Sequence, residues 1–72
     1  MYQYWPNATR LCINPTGTEE HLSTYDSADD LKTAVRQFAI WRDHCHYKLT
    51  RCWVDVYKDG HKIDTIREED LP

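Results

Sequence analysis

Between Asp26 and Cys45 the apolar residues recur with the period of a helix. On a wheel advancing about 100° per residue, Leu31, Ala34, Val35, Phe38 and Cys45 share one face, with Trp41 at its edge. Lys32, Thr33, Arg36, Gln37, Asp43 and His44 share the other. This is the stripe of a helix that packs one side on a core. Ser27 with Asp30, or Asp26 with Asp29, is expected to cap its start. Asp29 and Asp30 also set negative charge at the positive end of the helix dipole. Arg42, His44 and His46 suit the last carbonyls. Ile40 lies opposite Leu31 on the wheel and is expected to face water or a partner.

Either side of this segment the period shortens. Residues 8 to 14 alternate, with Thr9, Leu11 and Ile13 against Arg10 and Cys12, as in a half-buried strand. Before it, Tyr2, Tyr4 and Trp5 are expected to form a short edge strand or to lie across the core, because Pro6 interrupts a continuous central strand. Asn14-Pro15-Thr16-Gly17 has the residues of a type I turn. Residues 18 to 25 then return as an apolar-poor edge strand. After the helix, residues 47 to 57 hold Trp53, Val54, Val56 and Tyr57, all typical of strands. Asp59-Gly60 marks a hairpin, and residues 62 to 66 return.

Two hairpin registers compete. A two-residue loop pairs Val56 with Ile63 and Val54 with Thr65, and sets Asp55 against Asp64. A three-residue loop with Gly60 in a bulge avoids that clash but mixes the faces. The shorter loop is favoured. The elements give an α+β fold, β-β-α-β-β, with one helix on one face of a four-stranded antiparallel sheet. The whole chain, 1–72, is expected to form a single domain whose acidic end, 67–72, frays. The second sheet face is expected to carry Arg51, Trp53, Asp55, Tyr57, Lys62 and Ile66. It is either open or covered by the N-terminal aromatics or a second subunit.

Charge narrows the function classes. Nine basic residues face twelve acidic ones, a net charge of −3, which argues against a general nucleic-acid binder. Within residues 42 to 62, Arg42, Lys48, Arg51, Lys58 and Lys62 outnumber Asp43, Asp55 and Asp59. The Cys count is three, no apolar leader follows Met1, and no stretch is long enough to span a membrane. Free, reduced thiols and a cytoplasmic location are the simplest expectation. Asn7-Ala8-Thr9 matches a glycosylation acceptor, which has no meaning without a secretory route.

Candidate chemistry is sparse. His44, Cys45, His46, Cys52 and His61 are metal-ligand types, but Cys45 and Cys52 are seven residues apart and no second ligand pair follows. Core packing of the two cysteines is the simpler reading. Cys45 and its flanking histidines point in different directions on a helix, so they form no nucleophile–base dyad. Both glycines sit in turns, which leaves no phosphate-binding loop. No cofactor and no catalytic residue is expected.

Arg51, Trp53, Tyr57 and Lys62 have the residue types of a binding face, as does Ile40 on the helix. An aromatic, basic sheet face also suits single-stranded nucleic acid. The acidic chain favours an unidentified protein partner or a homodimer. The sequence thus reads as a small non-enzymatic cytoplasmic interaction or accessory protein, in the style of phage or mobile-element products. A nucleic-acid-binding module is the first alternative, and metal binding through the His44-Cys45-His46 region the second.

Overall fold

A computed structural model of the chain describes residues 1–12, 17–44 and 48–72. Its elements are β1 (Tyr2–Leu11), β2 (Glu19–Ser23), α1 (Leu31–His44), β3 (Leu49–Lys58), β4 (His61–Arg67) and a short 3₁₀ turn, Glu68–Asp70. The strands form one antiparallel sheet in the order β2-β1-β3-β4. α1 packs across β1 and β3 on one face, the α+β arrangement that the sequence pattern predicts. The expected turn at Asn14–Thr16, the apolar position of Cys45 and the strand start at Tyr47 lie outside the described residues.

The helix phase follows the wheel. Ala34, Phe38 and Trp41 are buried with Ala8, Cys52 and Val54, while Leu31 and Val35 flank this core. Ala8 and Ala34 bring helix and sheet close, and Phe38 fills the space beside them. Ile40 is 50% exposed.

The cap differs from both expected pairs. Asp30 itself caps α1, its Oδ1 accepting the Thr33 N–H at 2.7 Å. Ala28 exchanges backbone bonds of 2.8 and 2.9 Å with Tyr4, which holds the chain on the sheet until just before Asp30. The Thr33 hydrogen bonds hold the Asp30 carboxyl below its ordinary range, helped by Arg36 and Lys32. A depressed folded-state value means stability that is present above the ordinary carboxylate range and lost as pH falls through the folded value. Asp30→Asn keeps the acceptor and removes the charge, so it should flatten this acid limb in pH-dependent unfolding curves. Asp30→Ala should destabilise the helix at every pH.

Pro6 does not interrupt β1, which runs unbroken through the sheet interior. Tyr4 points its N–H and C=O toward Ala28, on the β2 side, so two residues on Pro6 presents its missing donor to that side. There β2 has already ended, since its pairing with β1 begins at Asn7. Pro6 therefore sits where no donor is needed. Alternation along β1 sends Tyr4 to the helix side and Trp5 to the other face.

The β3–β4 hairpin has the favoured loop but not the favoured register. Lys58 pairs with His61, and Asp59 and Gly60 take φ of 51° and 83°, as a type I′ turn requires. Ile63 is then inserted as a bulge, so Val56 pairs with Asp64, Asp55 with Thr65 and Val54 with Ile66. The bulge removes the Asp55–Asp64 clash and sends Ile66 to the helix side, where it packs on the core instead of lying on the second face. In the acidic segment Arg67 ends β4, and Leu71 packs on the core after the 3₁₀ turn.

Candidate functional site

Alternation along β3 buries Cys52, Val54 and Val56 on the helix side of the sheet and sends Arg51, Trp53, Asp55 and Tyr57 to the opposite face. No element among the described residues covers that face. β1 adds Trp5, Asn7 and Thr9, β2 adds His21, and β4 adds Lys62, Thr65 and Arg67. Of the sequence candidates, Arg51, Trp53, Tyr57 and Lys62 meet here. Ile40 is on α1, across the sheet from them.

The centre of the face is a polar network. Asn7 is 7% exposed, yet every polar atom of its side chain is paired. Its Nδ2 donates to the Trp5 carbonyl at 3.0 Å and to Asp55 Oδ2 at 3.1 Å, and its Oδ1 lies 2.9 Å from His21 Nε2. The amide oxygen has only lone pairs to give, so His21 Nε2 carries the proton. Asp55 Oδ1 accepts from Thr65 Oγ1 at 3.0 Å and meets Lys62 Nζ at 3.3 Å. The chain β2–β1–β3–β4 is thus linked side to side by His21, Asn7, Asp55 and Thr65. Asn7 is committed within the sheet and is no glycosylation acceptor in the fold.

Aromatic rings flank this network. The His21 ring stacks on Trp53, centroids 5.6 Å apart and planes 7° from parallel. On the other side Trp5 meets Tyr57 edge to face at 6.5 Å. Trp5, Trp53 and Tyr57 are all half-buried. At the Trp53 end lies a hollow of about 450 Å³, lined by Arg51, Trp53, Thr65, Arg67, Glu68 and Glu69.

Of the metal-ligand types, only Cys52 and His61 have described side chains, and these two do not meet. Cys45 and His46 lie outside the described residues. Cys52 is buried in the core, and His61 is at the hairpin tip, about 20 Å along the strand direction. Burial pushes the Cys52 thiol up, against the opposing pull of Arg42, whose Nη2 donates to its Sγ at 3.5 Å. Cys52 is therefore a protonated core residue. No group of three His, Cys, Asp or Glu side chains that could hold a metal ion occurs among the described residues.

Sequence reasoning missed Asn7, His21, Thr65 and Arg67, and named Trp5 only among the N-terminal aromatics that could cover this face. Trp5 and Asn7 follow from continuing the strand alternation through Pro6. Arg67 needs the bulge at Ile63, which nothing in the alternation announces. No family model, curated protein or solved structure matches the chain. Among the described residues no helix is long and apolar enough to cross a membrane.

Proposed function

We propose that the chain is a non-enzymatic interaction protein whose open sheet face receives a protein partner. The observation that carries this reading is the set of half-buried aromatics, Trp5, Trp53 and Tyr57, around a satisfied polar centre with no layer over them among the described residues. Trp, Tyr and Arg are the side chains that anchor interfaces. The titratable groups of the face support a binding role over a catalytic one, because Asp55 is held by Asn7, Thr65 and Lys62 as a cross-strand tie. Cys12 and Cys52 are unbonded, which favours a reducing compartment such as the cytoplasm.

The test compares four variants. Trp53→Ala and Arg51→Ala should weaken partner capture by about 2 kcal/mol, roughly thirtyfold. They should cost less stability than Val54→Ala or Val56→Ala. Capture should survive nuclease and fall only shallowly with salt, unlike contacts to a phosphate backbone. Sedimentation of the same proteins detects a second copy as the partner. If Trp53→Ala proves the most destabilising of the four and association stays intact, Trp53 serves folding alone and the proposal fails.

A further inference from the structure

β4 is the longer of the two strands at the edges of the sheet, seven residues against five in β2. No strand among the described residues pairs with its outer side. Its sequence favours pairing: Ile63, Thr65 and Ile66 are β-branched, and Ile63 is 52% exposed. An edge of this kind is a template for a strand from another chain.

The hairpin decides which backbone groups that edge offers. Its two-residue loop makes Lys58 and His61 exchange both backbone bonds. Along β3, Val56 and Val54 then turn their polar groups to β4, while Tyr57, Asp55 and Trp53 turn theirs to β1. Lys62, Thr65 and Arg67 stand opposite these three, so their N–H and C=O groups point outward. An added antiparallel strand needs such groups at every second residue. The Ile63 bulge breaks that spacing between Lys62 and Thr65, and only Thr65 and Arg67 keep it. The Thr65 N–H is already taken, because it donates to Asp64 Oδ1 at 2.8 Å. Bulge and carboxylate together leave no two outward donors in register.

We infer that Asp64 is an edge guard: its carboxylate occupies the Thr65 amide and keeps β4 from pairing with β4 of a second copy of the chain. The register left by the bulge sets Thr65 of each copy against Arg67 of the other. Each such pair exchanges two backbone bonds, and the Thr65 N–H supplies one of them. Asp64 itself is exposed and makes no ion pair among the described residues, so its carboxylate is committed to this amide alone. The inference does not depend on what the open face binds.

Sedimentation over a concentration series reads the guard. Asp64→Ala should raise the association state above that of the parent chain. Asp64→Asn, whose Oδ1 still accepts the Thr65 N–H, should match the parent. Hydrogen exchange locates the contact. At dilution the Thr65 amide of Asp64→Ala should exchange about tenfold faster than in the parent, and it should slow again as the assembly grows. Adding Thr65→Pro removes that donor at an outward position, where an edge strand tolerates proline, and should return the parent's association state. Melting curves show which variants are folded. Asp64→Val, with a stronger strand former, takes the place of Asp64→Ala if the latter does not fold, and the exchange reading decides alone if the proline variant does not. A folded Asp64→Ala that sediments with the parent at every concentration overturns the inference. Assembly that leaves the Thr65 amide fast also overturns it, because the copies then meet elsewhere. An Asp64→Asn variant that assembles like Asp64→Ala does the same, since the charge and not the hydrogen bond would then hold the copies apart.

Discussion

Phe38→Ala is expected to lower the unfolding free energy by about 3 to 5 kcal/mol, the cost of emptying an aromatic site in a core that cannot collapse. Phe38 is 3% exposed and packs beside Trp41, with ring centroids 6.0 Å apart. Its sheet-side neighbours in the cluster include Ala8 and Val54, both fully buried and neither long enough to refill the space. A chain of 72 residues has a small core to begin with. The loss is therefore comparable to the whole stability of a marginal domain. Ile40, two residues further along α1, is half exposed, and Ile40→Ala should stay within about 0.5 kcal/mol of the parent. Urea unfolding of the two variants checks the contrast. Equal losses would mean that the helix is rotated from the phase described.

That phase is the most legible part of the fold. Leu31 to Trp41 repeat at helical spacing over three turns, and each extra turn makes an accidental match less probable. The face assignment of β3 is nearly as clear, because Val54 and Val56 alternate with Trp53, Asp55 and Tyr57. What the sequence leaves open depends on neighbours that sequence patterns do not place. Pro6 forbids a ladder bond on one side only. Whether that matters depends on how far β2 extends, and β2 stops one pair short of it. In the hairpin two local signals conflict: Asp59-Gly60 asks for a two-residue loop, and Asp55 repels Asp64 in that register. The structure satisfies both by inserting Ile63 as a bulge, at the expense of exposing it by 52%. From there on every β4 residue changes face. Ile66 moves to the core and Arg67 to the open face, so the hollow beside Trp53 is a product of the bulge.

The second large effect is expected from Asn7→Asp, on the order of 3 kcal/mol lost at neutral pH. The substitution barely alters shape, so packing does not explain the loss. The amide nitrogen at this position donates to the Trp5 carbonyl and to Asp55 Oδ2, and a carboxylate has no donor for either. It would also stand about 3 Å from a second carboxylate in a partly buried site. Folding would then raise the new carboxyl above its unfolded value. A group raised on folding has its stability fully present below the unfolded value and loses it as pH rises through the folded one. The variant should thus recover toward the parent in mild acid, where a shared proton can bridge the pair. The parent has the opposite slope from Asp30. Exchanging donor and acceptor in the double variant, Asn7→Asp with Asp55→Asn, should restore much of the neutral-pH loss, because an amide again faces a carboxylate. Lys62 and Thr65 keep an oxygen partner at position 55 throughout. Urea unfolding of the single and double variants across pH reads the whole cycle. If Asn7→Asp unfolds with the parent at neutral pH, Asn7 does not join β1 to β3, and the open face loses the polar tie that holds Trp53 and Tyr57 in one surface.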